Sequence, residues 1–213
     1  AYMAVDQDLE LITVINKIDL PSAEQDRVRA EVEDAIGIDA SEAILASAKE
    51  KIGTKEILEA IVKNVPAPEG DVEKPLKAMI FDSWFDPYRG VVVLVRLVDG
   101  IMNLGDKIYF MATKREYEIT EMGVFTPAAS PVKSISAGEV GFFTASIKDV
   151  HEVKIGDTVT HAKKRTEEPF AGFKHVKNVV LCGLYPIKHQ NYQELSDDLE
   201  KLMLNDIAVT FSP

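Results

Sequence analysis

Asn16-Lys17-Ile18-Asp19 follows directly on a short apolar run, and its residue types suit one piece of chemistry. A carboxylate such as Asp19 accepts two neighbouring N–H donors at once. Guanine presents such a pair, its imide hydrogen beside its exocyclic amine. Adenine does not, so an aspartate facing adenine is left unpaired. Asn16 can bond the base edge and tie neighbouring loops together. The aliphatic stem of Lys17 can lie over the base plane while its ammonium stays in water. A second segment, Ser47-Ala48-Lys49, follows the next apolar run. There the Ala48 N–H can donate to the guanine carbonyl. Both segments stand where strands end, the place at which open α/β sheets bind ligands.

The rest of a nucleotide site is missing. No Gly-x-x-x-x-Gly-Lys-Ser/Thr loop occurs, so nothing in the sequence cradles phosphates. Asp34-Ala35-Ile36-Gly37 has the spacing of a metal-binding switch, but it follows the base-reading segment instead of preceding it. Gly37 is better explained as a helix stop. His151, His161, His175 and His189 are widely spaced and near no cysteine, so no metal site is expected. Cys182 lies in an apolar run and reads as a small buried hydrophobe. Trp84, Phe85 and Tyr88 suit either base stacking or a contact at a barrel rim. Lys163, Lys164, Arg165, Lys174, Lys177 and Lys188 form a basic stretch, either a solvated connector or a salt-sensitive contact with RNA phosphates.

The elements that must position these residues change character along the chain. Leu11 to Ile15 is β-branched and apolar on both faces, as a central parallel strand is. Pro21-Ser22 predicts a helix start, with Gln25 in the capping-box position. Val28, Val32 and Ile36 make its apolar stripe. Ala43 to Ala46 reads as a second buried strand. Thr54 predicts the cap of a further helix whose inner face is Ile57, Leu58, Ile61, Val62 and Val65. This β-α-β-α series implies a parallel sheet. Pro66-Ala67-Pro68-Glu69-Gly70-Asp71, with two prolines and a glycine in six residues, marks a linker at 67–74 after an α/β part at 1–66. Short β-type runs fill 75–162, and Asp99-Gly100 between apolar runs predicts a hairpin. Several short antiparallel strands in about 90 residues predict a small closed barrel. Residues 163–213 read as a connector and the first part of an α+β domain. They contain a strand at 176–181, a helix capped by Asn191 with Glu194, and a strand at 208–211.

The chain has 213 residues and a net charge of −11. Residues 1–70 carry most of it, with 7 basic against 15 acidic side chains. That balance opposes generic nucleic-acid coating and leaves room for a local basic patch. At 46% hydrophobic and 28% charged, the composition is globular. A single cysteine excludes an internal disulfide framework and fits a reducing cytosol. The start has no charged leader before an apolar stretch, so no secretory signal is expected.

Asn16-Lys17-Ile18-Asp19-Leu20-Pro21 and Ser47-Ala48-Lys49, followed by β-type runs, resemble the translational GTPases. The segment Phe81-Asp82-Ser83-Trp84-Phe85-Asp86-Pro87-Tyr88-Arg89-Gly90 resembles their LepA (elongation factor 4) branch. Gly123 to Pro127, Ser136 to Gly141, Gly183 to Pro186 and Leu202 to Asp206 are also similar to that branch. The resemblance implies a multi-domain α/β plus β fold. Its parts would be the C-terminal part of a P-loop GTPase domain, a translation-factor β-barrel and the start of an α+β (ferredoxin-like) domain. It implies a ribosome-dependent GTP hydrolase that remodels elongating or stalled ribosomes. The phosphate loop and switches would lie upstream of Ala1 and further domains downstream of Pro213, so this segment alone would be inactive. Implied cofactors are GTP or GDP with Mg2+, whose metal ligands are not in this chain. Implied partners are ribosomal RNA, ribosomal proteins and tRNA, with no DNA, for a monomer. Implied locations are the cytoplasm and the inner face of the bacterial membrane. Asn16, Lys17, Ile18, Asp19, Ser47, Ala48 and Lys49 would hold the base, and no catalytic or metal-binding residue is present. The alternatives are a non-catalytic ribosome- or RNA-binding module with a vestigial guanine site, or another translational GTPase.

Overall fold

A computed structural model of the chain describes residues 1–173, 180–187, 192–204, 206 and 208–212. They form two compact units, Ala1–Ala67 and Pro68–Pro213.

The first unit runs α1 (Tyr2–Val5), β1 (Val14–Ile15), α2 (Gln25–Ile36), β2 (Ile44–Leu45) and α3 (Thr54–Asn64). β1 and β2 pair in parallel, Val14 with Ile44 and Ile15 with Leu45. The strands are shorter than the apolar runs suggest, because a ladder extends only as far as both partners do. Ile15, Ala40 and Ala43 are buried, with Val28 and Val32 of α2 packed against them. α2 begins at Gln25, three residues beyond the expected Ser22 cap, and Glu24 at its N-cap makes no side-chain cap bond. The local reason is a turn: Leu20 N–H donates to Lys17 O and Ala23 N–H to Leu20 O, which uses Pro21-Ser22 in the turn. The helix stops at Gly37, as expected. α3 carries a second correction, since its N-cap is Gly53 and Thr54 is its first residue. Of its expected inner face only Ile57 is half-buried. Leu58, Ile61, Val62 and Val65 are exposed, Val62 at 82%. A sheet of two strands is too narrow to cover them.

The second unit is built on strands β3 (Lys77–Asp86), β4 (Gly90–Asp99), β5 (Ile101–Asn103), β6 (Lys107–Phe110), β7 (Arg115–Glu118), β8 (Glu121–Phe125), β9 (Ala129–Pro131), β10 (Ser134–Ser136), β11 (Val140–Thr144) and β12 (Thr158–His161). Eight of them form one sheet in the order β7-β6-β12-β3-β4-β11-β8-β9, and β5 pairs with β10 apart from it. All these ladders are antiparallel. Sheet and pair share one core. Val91, Val93, Val95 and Leu97 alternate inward from β4, Phe110 and Phe143 fill the centre, and Met102 and Ile135 come from the small pair. Irregular register between β3 and β4, at Lys77/Ala78 and Ile80/Asp82, lets the long pair bend around that core.

Asp99-Gly100 does not make the expected hairpin. β4 pairs with β3 before it, β5 pairs with β10 after it, and Gly100 is the corner where the chain changes ladder. Its φ is +79°, and a Cβ there would meet Leu76 N at 2.7 Å and Leu76 Cα at 2.6 Å. Glycine serves a corner pressed against the backbone just ahead of β3 as well as it serves a hairpin. Trp84 packs on the outer face of the sheet, 6.3 Å from Phe125, whose ring is 5.1 Å from Phe142. Tyr88, in the β3–β4 turn, is 98% exposed.

After β12 the chain stays tied to the sheet for a stretch. Thr166 N–H donates to Thr160 Oγ1 and Phe170 N–H to Thr158 Oγ1. Arg165 lies 3.6 Å over the Tyr109 ring and reaches Glu116 at 2.7 Å, so this member of the basic stretch is engaged within the unit. Lys174, Lys177 and Lys188, His175 and His189, most of the strand expected at 176–181, and the expected cap Asn191 lie outside the described residues. Cys182 is exposed, contrary to expectation. Its neighbours Val180 and Leu181 are 80% and 100% exposed, and no packed surface among the described residues buries it. α4 (Tyr192–Leu202) forms as expected. The strand expected at 208–211 does not. Asp206 holds that stretch in a turn, its Oδ1 accepting from Ala208 N–H at 2.9 Å. Leu204 is buried against the main core, and Ser83 Oγ donates to its carbonyl at 3.1 Å.

Asp157 holds the entry of β12. Its Oδ1 accepts from Ala112 N–H at 2.8 Å and Thr158 N–H at 2.6 Å. Burial pushes its pKa up, against the pull of those amides and of Lys154. Asp157→Ala strips both amides of their acceptor, and is expected to cost about 1–3 kcal/mol in urea denaturation at pH 7. The pH sign follows from the raised value. The carboxyl's stabilising contribution is complete below its unfolded pKa and is lost as pH rises through the folded one. The stability advantage of wild type over Asp157→Asn is therefore expected to be larger at pH 4 than at pH 7.

Candidate functional site

β1 and β2 are parallel neighbours, so their C-terminal ends deliver two loops side by side. Asn16 to Asp19 leave β1, and Ser47 to Lys49 leave β2 one residue beyond Ala46. The backbone binds the two exits together: Ala46 N–H donates to Ile15 O at 2.9 Å and Ile18 N–H to Ala46 O at 3.2 Å. Lys17 takes a left-handed backbone, φ +66°. For a residue with a Cβ this costs of order 1 kcal/mol and is held by its surroundings. Asn16 Oδ1 helps hold it, accepting from Lys17 N–H at 2.8 Å.

The side chains interlock in the same way. Ser47 is fully buried, and its Oγ donates to Asp19 Oδ1 at 2.6 Å. The same Oγ accepts from Glu50 N–H at 3.1 Å. Asn16 Oδ1 also accepts from Ala48 N–H at 3.2 Å, joining the loops a second time. Asp19 is half-buried, and its second carboxylate oxygen accepts no hydrogen bond among the described residues. Asn16, Lys17, Ala48 and Lys49 are exposed, and Lys49 lies 3.4 Å from Glu50. Ile18 is half-buried on the inner side, packed against the small core of the unit. All seven residues singled out from the sequence therefore lie on two joined loops.

A cleft of about 300 Å3 runs beside these loops between β1 and α2. It touches Asn16, Lys17 and Ile18 but neither Asp19 nor residues 47–49. Its lining includes Val14, Leu20, Val28 and Val32. It is an apolar gap in the unit's packing, and a base held by Asp19 would lie elsewhere. The bonds from Ser47 to Ile52 and Glu50, which shape the second loop, are not evident in the sequence. The sequence feature that could have pointed to them is Gly53, six residues after Ser47.

No group of three or more His, Cys, Asp or Glu among the described residues is arranged to hold a metal ion. No helix among them is long and apolar enough to cross a membrane.

Residues 1–67 match the family model of the elongation factor Tu GTP-binding domain, and residues 90–160 that of elongation factor Tu domain 2. The chain is 57% identical over 212 residues to elongation factor 4 of Bacillus cereus (strain B4264) and of Bacillus anthracis (strain CDC 684 / NRRL 3495). The match takes in 100% of this chain and 35% of each relative, so the chain spans about a third of their length. Among solved structures it is similar to the apo form of translation elongation factor SelB from Methanococcus maripaludis, with TM-score 0.61 and 18% identity. That similarity covers 76% of this chain and 35% of the other. The bacterial selenocysteine-specific elongation factor EF-Sec gives TM-score 0.55, with 76% and 28% covered. At 18% identity these two speak for the fold alone. Matched in turn by the family models of the elongation factor Tu GTP-binding domain and of its domain 2, the chain is homologous along its whole length to a segment of elongation factor 4.

Proposed function

We propose that this chain supplies the base-reading half of a guanine-nucleotide site in a ribosome-dependent GTPase acting in translation elongation. The observation that carries the reading is the interlock of two strand-end loops by Ser47 Oγ on Asp19 and Ala48 N–H on Asn16. In this reading Asp19 pairs with the imide and amine of guanine, and Lys17 covers the base plane. Ser47 aims the carboxylate, and Lys49 and Ile18 flank the loops. Ala48 N–H meets the base carbonyl, and for that it exchanges its bond to Asn16 Oδ1. The sheet unit serves as a ribosome-facing body. The segment from 163 onward begins a further α+β domain, with 1–66, 67–74 and 75–162 as the preceding divisions. GTP would be bound with Mg2+, and ribosomal RNA, ribosomal proteins and tRNA would be the partners of a monomer. The whole protein would work in the cytoplasm, or at the inner face of the membrane.

Most affinity in such sites comes from phosphate contacts and magnesium. The 213-residue chain by itself is therefore expected to hydrolyse no GTP, with or without ribosomes. The intact protein is expected to hydrolyse GTP in a ribosome-stimulated manner and to leave ATP untouched. Phosphate release measured for both proteins tests this, and turnover by the isolated chain or ribosome-independent turnover by the intact protein would overturn the reading.

A further inference from the structure

The base-reading loop is closed from behind by residues that would never touch a base. Ser47 and Ile52 exchange both backbone hydrogen bonds, Ser47 N–H to Ile52 O and Ile52 N–H to Ser47 O, each at 3.0 Å. This two-way bridge pulls residues 47–52 into a ring, with Lys51 in the left-handed region at φ +58°. Gly53 follows at φ +74° and ψ 0°. Its carbonyl accepts from Ile57 N–H at 3.0 Å and so opens α3. A Cβ on Gly53 would lie 2.3 Å from Leu45 O, 3.0 Å from Ala46 Cα and 3.1 Å from Ala46 Cβ. Leu45 O and Ala46 Cα are backbone atoms at the end of β2, so no side-chain rotation relieves the contact.

We propose that Gly53 is a positioning residue for guanine selection. By seating its bare Cα against the end of β2, it lets the Ser47–Ile52 bridge close and thereby aims Ser47 Oγ at Asp19 and Ala48 N–H toward the base edge. The proposal rests on the guanine reading of Asp19. Any side chain at position 53 pushes the start of α3 away from Leu45. Ile52 moves with it, being the adjacent residue, and the bridge opens. Ser47 then loses the two backbone bonds that hold it, and the carboxylate of Asp19 loses its fixed orientation. A carboxylate free to rotate still attracts an N–H, but it no longer presents two oxygens in the plane of the base. Selectivity between purines should therefore fall further than overall affinity, which the phosphates dominate.

The experiment measures binding of GDP and of xanthosine diphosphate to the intact protein, wild type and Gly53→Ala. Wild type is expected to prefer GDP, and Gly53→Ala is expected to lower the GDP-to-XDP affinity ratio at least tenfold. A purely structural role would reduce the folded fraction and leave the ratio among folded molecules unchanged. If wild type shows no preference for GDP, the guanine reading fails and the proposal with it. If wild type prefers GDP and Gly53→Ala keeps the full ratio, the positioning role is overturned while the guanine reading stands. Should Gly53→Ala not fold, amide exchange in the intact wild-type protein decides. Slow exchange at both Ser47 and Ile52 supports the bridge, and exchange of the Ile52 amide at the unstructured rate overturns it.

Discussion

Asp19→Asn is expected to exchange guanine preference for xanthine preference in the intact protein, by about a hundredfold or more in the ratio of GTP to XTP turnover on ribosomes. The sign follows from hydrogen-bond polarity. Guanine offers two donors, N1–H and the exocyclic amine, and a carboxylate accepts both. Xanthine keeps N1–H but carries a carbonyl where guanine carries the amine. An asparagine amide accepts from the first and donates to the second. The structure says which way that amide would point. Ser47 Oγ donates to Asp19 Oδ1 at 2.6 Å, so the carbonyl oxygen of an asparagine is retained on that side and its NH2 takes the other. The size follows from the cost of a mismatch. A half-buried carboxylate facing a carbonyl gains no hydrogen bond, and two acceptors repel. Unchanged preference in Asp19→Asn would remove the base-reading role and leave a binding module in its place.

Phe110→Ala is expected to destabilise the second unit by about 3–5 kcal/mol, a large part of the 5–15 kcal/mol that holds an ordinary domain together. Phe110 is fully buried at the centre of the core, with the Phe143 ring at 6.3 Å and the Tyr117 ring at 5.2 Å. Truncation removes both aromatic contacts and leaves a cavity between strands whose ladders prevent collapse. Urea denaturation followed by tryptophan fluorescence reports on this unit alone, because Trp84 in β3 is the single tryptophan of the chain. The same substitution at an exposed aromatic residue gives the contrast. Tyr88→Ala, in the same unit at a side chain 98% exposed, is expected to change stability by less than about 0.5 kcal/mol. A loss below about 1 kcal/mol for Phe110→Ala would mean that the core repacks around the gap.

Chemistry was legible in the sequence wherever the requirement was local. Asn16, Asp19, Ser47 and Ala48 could be picked out because a short run of backbone fixes where each projects, and hydrogen-bonding capacity is a property of residue type. The parallel pairing of β1 with β2 followed from two apolar runs separated by a helix-length segment. Gly37 stops α2 because a helix end is a local event. The antiparallel class of the second unit was equally plain, since short β-branched runs between glycines leave few other folds.

What failed to show in the sequence was everything decided by a partner distant along the chain. Asp99-Gly100 has the composition of a hairpin, yet the hydrogen bonds of β5 go to β10, and only the closed core explains that choice. Leu58, Ile61 and Val62 have helical spacing, but spacing does not say how many strands there are to cover them. Cys182 stands in an apolar run, and a run is buried only where a surface exists to receive it. Ser22 and Thr54 have the right chemistry for caps. The turn after Asp19 and the backbone approach of Gly53 to Leu45 start each helix somewhere else. By itself, the sequence determined which groups could read a base and which classes of structure carry them. Tertiary structure decided that Ser47 Oγ meets Asp19 and that Ile52 closes the loop behind them, because those contacts join residues whose distance in space follows from strand pairing and packing, not from their distance along the chain.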